Sequence, residues 1–275
     1  MDQKLKKVIS VLMTTILMTM CTVNVFAVEQ KSEISNSWEN SHYEYADIDV
    51  PITDMNLLME RGLTHQNDAP NELVKSIEEN SALTIDNVIQ EDKPLVTTQL
   101  ISVAVNAHNS NDKIYTYLAT MISSMEYTNG VLRSTASNYT KEEQISSSGG
   151  EITLFTTLAY EIGTTGEGIG YAKIKSASAR ARVNVGMVSV NYVKARYKYK
   201  GVNYSTRGLE DVTSAWKTSY SNTSVTNIAT SAPRIECVDG GMFWMVGAEG
   251  LAHVTRGGSN WDTRHTVYES GVGLP

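Results

Sequence analysis

The feature that most constrains this chain is the stretch 171–200, YAKIKSASARARVNVGMVSVNYVKARYKYK. Ala177, Ala179, Ala181, Val183 and Val185 alternate with Ser178, Arg180, Arg182 and Asn184. Further on, Val193, Ala195, Tyr197 and Tyr199 alternate with Lys194, Arg196, Lys198 and Lys200. Successive side chains of a strand point to opposite faces, so this period of two predicts half-buried strands with one apolar and one cationic face. The phase slips at Met187/Val188, beside Asn184 and Gly186, and again at Tyr192/Val193. The first slip reads as a turn and the second as a one-residue bulge, which makes the stretch a hairpin.

The charge of this hairpin is anomalous. Nine basic residues and no acid lie between residues 168 and 209. Such segregation can create a positive field on a protein whose net charge is negative. If Arg180 and Arg182 lie across the hairpin from Lys194–Lys198, like charges crowd one face and cost stability unless anions or acidic neighbours sit among them. One reading is a solvated face that protects a sheet edge, neutralised by the acidic N-terminal segment. The other is a binding surface made of Arg180, Arg182, Lys194, Arg196, Lys198 and Lys200, with an anionic envelope polymer or lipid surface as partner. Tyr192, Tyr197, Tyr199 and Tyr204 would add stacking. Nucleic acid is not the expected anion.

Lys4, Lys6 and Lys7 precede an uncharged run from residue 8 to 28, and Val25-Phe26-Ala27 offers small residues for cleavage. This reads as a secretory signal peptide over 1–27, cut near Ala27. Export leaves 20 basic and 29 acidic residues, a net charge of −9, and one cysteine, Cys237. No intramolecular disulfide can then form, so stability must come from a core, which about 250 residues can bury. Met20 stands where a lipidated cysteine at Cys21 would need a small neighbour, so a lipoprotein is not expected. The leader and the Ser/Thr/Asn-rich runs resemble those of exported proteins of Gram-positive bacteria in composition, without a motif.

Residues 28–51 are polar and acidic with no sustained period, and read as an extended or disordered lead. A first helix is predicted over about 54–61, capped by Thr53 or Asp54 and stopped by Gly62. A second follows, with Asp68 as cap, Pro70 in the first turn, and Leu73, Val74 and Ile77 on one narrow stripe. Asp92-Lys93-Pro94 marks the boundary between this lead, 28–94, and a β-rich domain over 95–275. There, runs at 95–107 and 114–123 flank a turn at Asn109-Ser110-Asn111-Asp112. Asn129-Gly130 is the best hairpin turn in the chain, since both residues tolerate positive φ. Further strands are expected over 151–162, 212–220, 224–229, 234–237, 242–246, 251–255 and 265–269. The fold class is therefore mainly β: an antiparallel β-sandwich-like domain preceded by a short helical or disordered region.

Catalytic signals are thin, and a binding or structural role is favoured over an enzyme. Cys237, with His253 or His265 and Asp262 or Asn260, contains the residue types of a cysteine hydrolase, but Arg234–Val238 reads as a strand entering the Asp239-Gly240-Gly241 turn. The five histidines, His42, His65, His108, His253 and His265, show no metal-binding spacing, and no cofactor is expected. The glycines at 163–170 lack the lysine and following helix of a phosphate loop. Trp216, Trp244 and Trp261 concentrate aromatic area near the C-terminus. The uninterrupted apolar run at 242–246 places Trp244 in the core, whereas Trp261, between Gly258 and Asp262, reads as exposed and is the candidate carbohydrate contact. A β-hairpin pore former, a carbohydrate-binding sandwich module and a secreted hydrolase are the alternative functions. The Asn-x-Ser/Thr triplets at Asn138, Asn203 and Asn222 matter only in a glycosylating host.

Overall fold

The alternating runs fold as antiparallel strands in a computed structural model that describes residues 43–91, 94–134, 150–164, 170–220, 223–236 and 244–271. The leader, Cys21, His42, Asn138, Asn222, Cys237, Asp239, Gly240, Gly241, Met242 and Phe243 lie outside these residues. In chain order the elements are β1 (Tyr43–Asp47), α1 (Met55–Leu63), α2 (Asn71–Asn80), β2 (Ala82–Ile85), β3 (Val88–Ile89), β4 (Leu95–Asn106) and β5 (Asn109–Thr128). They continue with β6 (Val131–Ser134), β7 (Ile152–Thr164), β8 (Gly170–Val183), β9 (Ser189–Asn203) and β10 (Leu209–Thr213). The last are β11 (Lys217–Ser219), β12 (Ser224–Ile228), β13 (Ile235–Glu236), β14 (Trp244–Arg256) and β15 (Ser259–Gly271).

All fifteen strands belong to one antiparallel sheet, ordered β1-β4-β5-β7-β8-β13-β9-β14-β15-β2-β3. β6 pairs with β5, β12 with β8, and β10 and β11 with β9. The expectation of a sandwich of separate sheets is thus corrected to a single, unclosed sheet. The two-residue β13 joins its halves by pairing with both β8 and β9.

The central hairpin is also corrected. Both strands exist, with Ala177, Ala179, Ala181, Val193, Ala195 and Tyr199 buried as their alternation requires. The bulge falls at Asn191, which is skipped where β9 changes register against β14. Yet among the described residues β8 and β9 share no register with each other. β8 runs beside β7 and β12, and β9 runs beside β14, β10 and β11. Residues 184–188 therefore carry the chain from one half of the sheet to the other instead of closing a ladder.

The small side chains on β8 explain why the halves can pack tightly. A Cβ added at Gly250 of β14 would stand 2.1 Å from Thr156 Oγ1 of β7 and 2.9 Å from Ala179 Cβ of β8. Residues at this crossing must be small because the backbones approach closely. The same constraint merges two predicted strands. Gly247 and Gly250 read as breaks between runs at 242–246 and 251–255, but β14 passes through both without interruption. Gly247 leaves room for the Tyr268 ring, whose Cδ1 would lie 1.9 Å from an added Cβ.

Local chemistry sets the turns. Asn129 (φ 53°) and Gly130 (φ 83°) both take positive φ between β5 and β6, as predicted. Asp86-Asn87 and Gly257-Gly258 make the same kind of connection between β2 and β3 and between β14 and β15. The turn expected at 109–112 moves to Ala107-His108. There the Asn106 side chain accepts from His108 N at 2.9 Å, and residues 109–112 become the start of β5.

Residues before 94 pack against the later strands. β1 pairs with β4, so the lead contains a strand at Tyr43–Asp47 where none was expected, made regular by a partner distant in sequence. In α1, Asp54 accepts from Asn56 N at 2.8 Å and Leu57 N at 3.4 Å, as a cap should; the helix runs through Gly62 and ends at Leu63. Asp54→Ala should therefore cost about 1 kcal/mol, read as a lower urea midpoint at unchanged slope. In α2, Pro70 is the cap position, and Asp68 instead accepts from Arg61 Nη2 at 2.9 Å and Leu100 N at 3.1 Å. Leu73, Val74 and Ile77 are buried in the main core, and Ser76 donates to Ser270 O of β15 at 2.9 Å.

Candidate binding face

The outer face of β9, β14 and β15 is built by period two on all three strands. Their registers place Tyr192, His253 and Asp262 in one row, and Lys194, Leu251 and Arg264 in the next. Arg196, Glu249 and Thr266 follow, then Lys198, Gly247 and Tyr268. β11 borders this face, with Thr218 opposite Lys194. Just before it, the half-buried Trp216 holds two guanidinium groups, Arg196 at 4.3 Å and Arg264 at 6.0 Å from its ring centroid. Tyr192 lies under the Lys194 ammonium at 4.5 Å and stacks on His253 at 4.8 Å.

The carboxylate at the centre of this face is Glu249, only 3% exposed. Arg196 Nε donates to it at 2.7 Å, Tyr268 OH at 3.2 Å, and Lys198 Nζ also pairs with it. Burial raises its pKa, but the hydrogen bonds and charges of Lys198 and Arg196 outweigh this and hold the carboxyl below its ordinary range. Lys198 is opposed by burial in the same way, and its bonds to Glu249 and Tyr268 hold its pKa above the usual value. Glu249 thereby fixes two cations in position.

The structure separates the six predicted cations. Arg196, Lys198 and Lys200 lie on the outer face of β9, Lys200 pairing with Asp211 of β10 at 3.2 Å. Lys194 has no carboxylate partner among the described residues. Arg180 and Arg182 lie elsewhere, on β8, and point to the start of α1. Arg180 Nη1 donates to Thr53 O at 2.6 Å and Arg182 Nη1 to Asn56 Oδ1 at 2.7 Å. The acid-free window is thus matched with acids from other strands: Glu249, Asp211, Glu161 for Lys175 at 2.8 Å, and Glu236 for Arg207 at 2.7 Å. Arg264 and Trp216 complete the face: Arg264 was not singled out in sequence, and Trp216 was read only as part of the aromatic area near the C-terminus, because only the β14–β15 register and the path of the chain before β11 bring them to β9.

Trp261 is the one candidate contact whose expected exposure is corrected. It is 7% exposed, on the inner face of β15 with Thr263, His265, Val267 and Glu269, and packs edge-on against Tyr127 at 5.0 Å. The glycines before it belong to a tight turn, after which alternation points its ring inward. Of the histidines, His253 Nδ1 lies 2.8 Å from Asp262 Oδ1, whereas His265 is fully buried, with neither ring nitrogen hydrogen-bonded among the described residues. Among the described residues no three His, Cys, Asp or Glu side chains cluster as a metal site would require. Asn203 is buried and donates through Nδ2 to Glu210 at 2.7 Å.

No known family model, curated protein or solved structure matches this chain. The fold and this face define a class only: a mainly β protein carrying an aromatic and cationic sheet surface.

Proposed function

We propose that this is an exported, non-catalytic binding protein that holds an anionic carbohydrate polymer of the bacterial envelope on the outer face of β9, β14 and β15. One observation carries the reading: Lys194 and Arg264 stand in the same cross-strand row beside Trp216 and Tyr192, and neither has a carboxylate partner among the described residues. Two intervals between neighbouring strands set their backbones roughly 10 Å apart. An aromatic ring offers a flat apolar surface to a sugar, and flanking cations take its acidic groups. Arg196 and Lys198, already committed to Glu249, position this surface and add to its positive field.

The test is cosedimentation of the purified protein with cell-wall sacculi that retain or lack their anionic polymers, across a salt series. Retention should require the anionic polymer and fall as salt screens it. The double variant Lys194→Gln/Arg264→Gln should weaken retention at least tenfold, and Trp216→Ala should weaken it further. These substitutions leave Glu249 paired, so the fold is spared the cost of a buried unpaired charge. Retention unchanged by them would refute the proposal.

A further inference from the structure

A second surface lies at one end of the sheet and carries large exposed apolar side chains among polar and charged ones. The crossing loop at 184–188 emerges there, with Val183 opposite Ile152 and Ser189 opposite Thr255. The β14–β15 turn is at the same end, tied to the start of β7 by the Arg256–Glu151 ion pair. Asp262 O accepts from Asp86 N at 2.9 Å, which brings in the β2–β3 turn, and the Tyr127–Trp261 contact brings in the β5–β6 turn. The side chains presented at these tips are large and exposed: Met187 (66%) and Val185 on the crossing loop, Val183 at the end of β8, Ile89 (70%) and Val88 on β3, and Val131 on β6. Between β3 and β6 opens a groove of about 730 Å³ whose lining includes Ile85, Leu132 and Trp261.

Behind the tips comes a layer of amphipathic aromatics. Tyr220 is exposed and meets Tyr192 edge-on at 5.8 Å, while Tyr127 carries the Arg256 guanidinium 4.6 Å from its ring. Apolar tips with Tyr a few ångströms behind them match the gradient of a bilayer surface, where such rings sit at the headgroup level. A second copy of the chain fits less well. The exposed apolar side chains come from separate turns and strand ends and together expose on the order of a few hundred Å², short of the roughly 1,200 Å² that a specific protein interface buries.

The geometry points to this end as a membrane-docking surface that inserts Met187, Val185, Ile89, Val88 and Val131 into the interfacial region of a lipid bilayer. The contact is apolar, so it differs from polymer binding in its response to salt. It also uses none of the side chains of the Lys194–Arg264 row.

The experiment is flotation of the full exported chain with vesicles of pure phosphatidylcholine at low and at 1 M salt. The protein should float with the vesicles at both, because burial of apolar surface is not screened. Met187→Asp and Ile89→Asp should each lower the bound fraction by about tenfold. Lys194→Gln/Arg264→Gln should leave it unchanged, so failure here is distinguishable from failure of polymer binding. Thermal melts of the Asp variants should match the parent, since both side chains are exposed. Three outcomes would overturn the inference: no flotation with phosphatidylcholine at either salt, binding only to anionic vesicles and lost at 1 M salt, or a self-associated parent that Met187→Asp turns into monomer without changing flotation.

Discussion

Gly250→Val should lower stability by on the order of 3 kcal/mol or more, toward the top of what overpacking costs. The cause is the crossing of β14 over β7 and β8. Its first added atom would already overlap Thr156 Oγ1, 2.1 Å away, and press on Ala179 Cβ at 2.9 Å. Neither neighbour is the free end of a flexible side chain, so relief requires the strands to separate. Gly186→Ala is the control: an added Cβ there meets nothing within 4 Å, and the urea midpoint should hardly move. A Gly250→Val protein as stable as the parent would mean that the two halves of the sheet do not meet at this crossing.

The second large effect concerns pH. Glu269 and His265 both lie on the inner face of β15 and are fully buried. Burial raises the Glu269 pKa to about 8, and the nearby Ser76 hydroxyl is not aimed at its carboxyl. That hydroxyl donates to Ser270 O, and neither carboxyl oxygen of Glu269 has a hydrogen-bond partner among the described residues. Of the groups packed nearby, Tyr160 on β7 is itself held protonated, its pKa raised first by burial and then by Glu269. Burial likewise lowers the His265 pKa to about 3.

The two groups act in opposite directions. The folded protein keeps the Glu269 proton while the unfolded chain releases it near 4.5. That contribution is complete below 4.5 and disappears as pH rises toward 8. The unfolded chain instead takes up a proton at His265 below about 6.5 that the folded protein refuses, so stability falls as pH drops from 6.5 toward 3. Between 4.5 and 6.5 the two slopes cancel, and stability should be greatest on that plateau. At pH 9 Glu269→Gln should exceed the parent by a few kcal/mol, following the 1.36 kcal/mol of each pKa unit; near pH 4 the two should differ little. His265→Gln should reduce the acid loss, leaving the share due to Glu249, whose lowered pKa stabilises the fold above 4.5 and is lost as pH falls. Urea midpoints at pH 4, 5.5 and 9 check all of this, and equal alkaline loss in parent and Glu269→Gln would sink the assignment.

Much of the local structure was legible in the residues. Period two gave the buried faces of β8 and β9, the second phase slip, read at Tyr192/Val193, announced a bulge that falls just before it at Asn191, and Asn129-Gly130 closed its hairpin. The Leu73, Val74 and Ile77 stripe packed as an amphipathic helix must. These are short-range matters, settled by φ preferences, by alternation and by the burial of apolar side chains. Where local reading failed, a distant contact had overridden it: glycines of β14 that resemble breaks admit the Tyr268 ring and the β7–β8 crossing, and the segment Tyr43–Asp47 became a strand by pairing with β4.

The candidate surface divides in the same way. The cations of β9 and their common face follow from sequence, because alternation alone puts Lys194, Arg196, Lys198 and Lys200 on one side. Their partners do not. Arg180 and Arg182 share the same pattern, yet they belong to the other half of the sheet because the loop at 184–188 crosses over instead of pairing its strands. Glu249 lies beneath Arg196 and Lys198, Arg264 lies beside Trp216, and Trp261 turns inward. A period of two states which face a side chain takes, but not which strand lies alongside. Strand order depends on long-range packing of small residues such as Ala179 and Gly250, and only the tertiary structure decided it.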